Sequence, residues 1–239
     1  RQFVDIDILV QPRDLPRARD VLATHGYQCD EQIDRARESD YLRLQHHYSY
    51  RRPGGVLVEL HFKLRERFFA FAIDHDAIWR RSVEAELGGL RVRCLAPEDA
   101  VLTLCAHGAG HCWERLIWVC DIAALLRANP QLRWAELLAR AEALGGTRML
   151  LLGLLLAHDL VGAELPPEVL ARARADGALR GLARQVLAKL FRQPEDVRGL
   201  AETAWFYLRA RERRSDRVRF VVRLLFTPTL GDWSLVRLP

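Results

Sequence analysis

No Cys-x-x-Cys pair occurs anywhere in the chain, and its five cysteines, Cys29, Cys94, Cys105, Cys112 and Cys120, are an odd number. Both facts argue against a disulfide framework and against a zinc ribbon, so a reducing cytoplasm is the expected compartment. Long apolar runs are also lacking. The longest, Met149 to Ala157, has nine residues, far short of the roughly 20 that span a bilayer, and it predicts a buried helix with no membrane partner. No fixed repeat period emerges, which excludes a solenoid. Nor is there a strong excess of one charge: 36 basic and 31 acidic residues give +5. That balance suits a polyanionic ligand such as a nucleoside triphosphate but does not require nucleic acid. What is left is a globular chain of 239 residues, half of them hydrophobic, long enough for one large or two small domains.

The first ten residues, Arg1-Gln2-Phe3-Val4-Asp5-Ile6-Asp7-Ile8-Leu9-Val10, read as a strand. Side chains alternate across a strand, so Val4, Ile6, Ile8 and Val10 form an apolar face while Arg1, Asp5 and Asp7 share the other. Two carboxylates about 4 Å apart repel by roughly 4 kcal/mol at the effective dielectric of a protein, which favours a bound cation or a shared proton. A second segment, Val56-Leu57-Val58-Glu59-Leu60-His61-Phe62, repeats the pattern, with Glu59 and His61 on its polar face. If the two strands are neighbours, Glu59 joins Asp5 and Asp7 in one acidic cluster. Taken alone, Asp-x-Asp on a strand also suits a solvated sheet face or an edge that discourages pairing. The second acidic strand and Arg1 beside Asp5 favour a site.

Asp14-Leu15-Pro16 starts a helix that Gly26 stops, and Cys29 to Asp40 reads as a loop or short helix. His46 to Arg52, followed by the turn residues Pro53-Gly54-Gly55, forms a hairpin with the Glu59 strand. His46, Tyr48 and Tyr50 share one face of it. A His near the acidic cluster would suit phosphate or metal, whereas the plainer reading is the surface of an edge strand. Ser82 to Leu95 is a second hairpin that extends the sheet. Pro97-Glu98-Asp99 then opens a long helical region with breaks at Asn129-Pro130, Gly145-Gly146, Gly162 to Pro167, Gly177 and Pro194. The composition shift near Leu95 sets the expected boundary between a first domain, 1–95, and a helical domain, 96–239.

A polar stripe runs through the helical part. On one continuous helix, His107, His111, Arg115, Trp118 and Asp121 fall at spacings of four, four, three and three, on one face. The stripe suits contacts to a nucleotide or acceptor, or hydrogen bonds that dock the helices. His-x-x-x-His without a following Glu, and with Gly108 and Gly110 close by, is a poor match to a metalloprotease zinc helix. Seven arginines from Arg209 to Arg223 are interleaved with Glu212 and Asp216 and read as a solvated helix face more readily than an RNA grip.

The two acidic strands together resemble the palm of the DNA polymerase β-like nucleotidyltransferase superfamily. Arg-x-x-x-Asp-Ile-Asp-Ile-Leu-Val, then Val-Glu-Leu-His-Phe, then the stretch from His107 to Asp121, resembles more narrowly an uncharacterised nucleotidyltransferase family of bacterial proteins. The resemblance covers most of residues 1 to 125 and weakly the rest, including a loose match in the tail from Phe226 to Trp233. It implies an α+β fold: a small mixed β-sheet palm with flanking helices, followed by an all-α C-terminal domain.

The implied activity is transfer of an NMP from an NTP such as ATP to an acceptor hydroxyl, with release of pyrophosphate. In the superfamily the first two acids bridge two metals, here Asp5 and Asp7. The third, here Glu59, holds the catalytic metal and helps deprotonate the hydroxyl. Mg2+ is the implied cofactor, with Mn2+ as a substitute. Arg1, His61, His107, His111, Arg115 and Asp121 are the expected contacts to nucleotide or acceptor. The acceptor, whether small molecule, peptide or protein, is not legible.

One departure concerns the Gly-Ser turn that holds phosphates upstream of the Asp-x-Asp strand in the superfamily. No Gly-Ser pair occurs in this chain, which begins inside the motif; the expectation is a preceding segment, in which presence of the Gly-Ser turn favours an enzyme and its absence a non-catalytic module. Two other readings stay open: a non-catalytic nucleotide-binding or protein-interaction module built on the same palm, and a metal-dependent phosphohydrolase using the same acids.

Overall fold

The computed structural model describes residues 5–64, 74–191 and 200–226. Its chain divides into two compact units, Arg1–Arg80 and Arg81–Pro239. The fold is mixed α+β.

The first unit is built on a four-stranded sheet. Strand β1 (Asp5–Leu9) is followed by α1 (Leu15–Thr24), the two-residue strand β2 (Gln28–Cys29), α2 (Glu38–Leu44), β3 (His47–Arg51) and β4 (Leu57–His61), in the order β1-β4-β3-β2. β1 runs parallel to β4, while β3 is antiparallel to both β4 and β2. Asp14 stands at the N-cap position of α1 and Pro16 in its first turn, although the Asp14 side chain makes no capping bond. Gly26, with φ of +78°, ends that helix in the left-handed conformation that glycine adopts without strain.

The hairpin predicted around Pro53-Gly54-Gly55 is present, but β3 is an inner strand and not an edge. Its Tyr48 and Tyr50 are 2% and 3% exposed and pack with Leu15, Tyr41, Val58, Leu60 and Phe62 as the core of this unit. Burial raises the phenol of Tyr48 to about 12. The apolar face of β1 behaves differently: Ile6 and Ile8 remain exposed.

α3 (His75–Arg81) precedes the hairpin β5 (Val83–Leu87) and β6 (Leu90–Cys94), which forms a separate two-stranded sheet and does not extend the first one. Eight helices follow among the described residues: α4 (Pro97–Gly110), α5 (Leu116–Ala128), α6 (Trp134–Ala143), α7 (Thr147–Val161), α8 (Pro167–Ala175), α9 (Gly177–Leu190), α10 (Leu200–Ala210) and α11 (Arg214–Phe226). The longest apolar run of the sequence lies in α7, whose residues Met149 to Ala157 are all buried. No helix among the described residues is long and apolar enough to cross a membrane.

The buried carboxylates Asp99 and Glu98 of the second unit are paired, as desolvation requires. Asp99 accepts from Arg81 at 2.7 and 2.9 Å and from Arg140 at 3.2 Å, and Glu98 accepts from Arg133 at 3.0 and 3.1 Å. Glu212 accepts the first backbone N–H groups of α7, from Thr147 and Arg148. Part of the arginine run is structural too: Arg211 is buried with its guanidinium 4.3 Å from the Phe220 ring.

Candidate functional site

Register builds the site in the first unit. Asp7 is the strand partner of Glu59 across the parallel pair, and Glu59 is in turn the partner of Ser49. One pleat further, Leu9 pairs with His61 and His61 with His47. Partners in register share a face, so Asp5, Asp7, Glu59, His61, Ser49 and His47 lie on the side opposite the tyrosine core. The same alternation that sends Val58 and Leu60 inward therefore sends Glu59 and His61 outward.

His61 sits among the acids. Its Nε2 lies 3.2 Å from Glu59 Oε2 and 3.6 Å from Asp7 Oδ1. The imidazole is mostly buried, which disfavours its charged form, yet the contacts with Asp7 and Glu59 outweigh burial and push its pKa up to about 9. Glu59 responds in the opposite direction: its bond with His61 lowers its pKa against the effect of burial, and nearby His47 adds to the lowering. Asp7, Glu59 and His61 offer ligand atoms within 4.8 Å of one another. Asp5 is exposed at the position opposite Leu57, two residues along the same face.

These residues fit a divalent cation. Two carboxylates on paired positions, Asp7 and Glu59, supply the oxygen ligands that Mg2+ prefers while it keeps several waters, whereas Asp5 lies outside the group of ligand atoms that come within 4.8 Å of one another. The cationic imidazole of His61 already marks the spot where positive charge is stabilised.

His47 belongs to this group although the alternating pattern pointed to His46, Tyr48 and Tyr50 as one face. His47 Nε2 lies 3.9 Å from Glu59 Oε1, and His47 Nδ1 lies 3.1 Å from His46 Nε2. His46 itself stands just outside β3. Its carbonyl accepts the N–H groups of both Phe62 and Lys63, at 2.9 and 3.1 Å. Phe62 and Lys63 thus oppose the single residue His46, as in a bulge of the segment that carries them. The signal that finds His47 is the hairpin register, which pairs it with His61.

The polar stripe of the second unit is not carried by one helix. α4 ends at Gly110 and α5 begins at Leu116, and between them Cys112 and Trp113 adopt φ of 49° and 57°. Neither is a residue that tolerates this region easily. The turn drives the fully buried Trp113 ring onto Gly108 and Gly153, where an added Cβ would lie 2.4 and 2.8 Å from it. His107, His111 and Trp118 nevertheless come together, with ring centroids 4.6, 5.1 and 5.2 Å apart, and the Arg115 guanidinium carbon lies 5.9 Å from the Trp118 ring. Asp121 lies three residues after Trp118 on α5. Arg1, named as a nucleotide contact, falls outside the described residues, as do Pro194 and the tail after Phe226.

A family model described as an uncharacterised nucleotidyltransferase matches residues 1–162. No curated protein and no solved structure matches the chain. The matched stretch takes in both acidic strands and the region from His107 to Asp121, and the chain belongs to this nucleotidyltransferase family.

Proposed function

We propose that this member of the nucleotidyltransferase family transfers an NMP from an NTP to an acceptor hydroxyl, with Mg2+ held by Asp5, Asp7 and Glu59. The register pairing of Asp7 with Glu59, with His61 within reach of both, carries this reading. When bound, the cation neutralises phosphate charge and aligns the attacking and leaving oxygens. Glu59 accepts the proton of the acceptor hydroxyl, whose oxygen bonds to the α-phosphorus as the bond to the bridging oxygen breaks and pyrophosphate departs. His61 orients Glu59 through its 3.2 Å contact, and its imidazole would also be available to phosphate oxygens of the nucleotide. Arg1 and the set His107, His111, Arg115 and Asp121 are the proposed contacts to nucleotide or acceptor. Mn2+ substitutes for Mg2+ in this scheme, and the compartment is the cytoplasm.

One observation favours a second reading. The His61 imidazole, 3.2 and 3.6 Å from the two carboxylates, can serve as their counter-charge without any metal, as a non-catalytic nucleotide-binding or interaction module would need. Incubation of the purified chain with Mg2+ and labelled NTPs separates the readings. Transfer predicts Mg2+-dependent nucleotide binding and pyrophosphate, both weakened by joint Asp5→Asn and Asp7→Asn substitution. Metal-independent binding without turnover supports the module, and orthophosphate release without an acceptor supports a phosphohydrolase. Absence of nucleotide binding, with no effect of the substitutions, overturns the proposal.

A further inference from the structure

A second ligand set stands beside the acidic one, with which it shares His61. His46, His47 and His61 offer ring nitrogens within 4.8 Å of one another, and their ring centroids are 4.4, 5.1 and 5.4 Å apart. A tetrahedral zinc ion with bonds of about 2.1 Å to imidazole needs its ligand nitrogens roughly 3.4 Å apart. The 3.1 Å separation of His47 Nδ1 and His46 Nε2 is close to that already. All three histidines are half-buried, so their positions are held by the sheet and not by flexible surface chain.

The chemistry of this set differs from that of the carboxylates. Imidazole nitrogen suits borderline ions such as Zn2+, whereas carboxylate oxygen suits Mg2+. His47 stands between His46 and the carboxylate of Glu59. One of its nitrogens lies 3.1 Å from His46 Nε2, and the other is 3.9 Å from Glu59 Oε1, within reach of the carboxylate's charge but beyond hydrogen-bond distance.

We propose that His46, His47 and His61 form a binding site for a borderline divalent cation, Zn2+, alongside the Asp7–Glu59 pair. His61 belongs to both sets, so an ion bound by the three imidazoles withdraws it from the carboxylates. The site stands on the geometry of the histidines and does not depend on nucleotide transfer.

The test titrates Zn2+ into the full chain by calorimetry and reads the visible absorption of the Co2+ form. Expected are one ion per chain and intense Co2+ bands of the tetrahedral type. His46→Asn and His47→Asn should each weaken Zn2+ binding by about tenfold or more, with unchanged urea midpoints showing that the variants fold. Asp5→Asn should leave Zn2+ affinity within about twofold of the parent, which separates this site from a carboxylate one. The inference is overturned if wild type binds no Zn2+, if the histidine variants bind it as well as wild type, or if Asp5→Asn loses it as they do. None of these results bears on pyrophosphate release in Mg2+.

Discussion

Asp7 and Glu59 are direct register partners across the parallel pair of β1 and β4. Two like charges are thereby held side by side at the outer face of a packed sheet, with His61 Nε2 within 3.6 Å of both. Such an arrangement is costly without positive charge between them, and the fold supplies an imidazolium at the place where the proposed chemistry calls for a cation.

The first prediction concerns that imidazolium in metal-free protein. His61 has its pKa raised to about 9, so its contribution to stability is complete below the ordinary value near 6.5 and is lost as pH rises through about 9. Glu59, with a lowered pKa, contributes above its ordinary value and loses that contribution as pH falls. Proton-carbon NMR of the histidine rings after chelator treatment should show His61 titrating near pH 9. In Asp7→Asn its midpoint should fall toward 6.5, and an unmoved midpoint would contradict the assigned cause.

Acid stability of the helical unit should depend on Glu98. Hydrogen bonds from Arg133, working against burial, hold its pKa down to about 2 from an ordinary 4.5. Its stabilisation is therefore complete above 4.5 and disappears as pH falls through about 2. At about 1.4 kcal/mol per unit the contribution is at most about 3.5 kcal/mol, and less because Arg133 is half exposed to water. Urea denaturation from pH 6 to pH 2 should show a fall that is smaller in Glu98→Gln than in wild type.

The close approach of Trp113 to Gly108 gives a packing prediction. A methyl group on Gly108 meets the ring at 2.4 Å, and overpacking of this kind costs about 1–3 kcal/mol. Gly108→Ala should lower the urea midpoint accordingly. Adding Trp113→Leu should give less than the sum of the two single losses, because the smaller side chain removes the clash. Simple additivity would show that the ring does not rest where it is placed.

Much of the first unit was legible because alternation and turn chemistry are local. Asp5, Asp7, Glu59 and His61 fall on one face by period two, and Pro53-Gly54-Gly55 announces the hairpin. What alternation does not carry is which strand lies beyond a given strand. β3 reads as an edge because its neighbour β2 is only two residues long, and Tyr48 and Tyr50 turn inward as a result. The grouping of His46 with His47 was hidden because adjacent residues of a strand point to opposite faces, whereas β3 begins at His47 and His46 lies outside it. The break after Gly110 was hidden too. Cys112 and Trp113 carry no turn signature, and their left-handed backbone accompanies the packing of the indole against Gly108 and Gly153.

The most direct test of the central claim is the rate of pyrophosphate release from an NTP in Mg2+ for wild type, Asp7→Asn and Glu59→Gln, each verified as folded. The account predicts that each substitution lowers kcat about a thousandfold, equivalent to about 4 kcal/mol of transition-state stabilisation, with chelator abolishing the wild-type rate. Release that persists in both variants at the wild-type rate would contradict it.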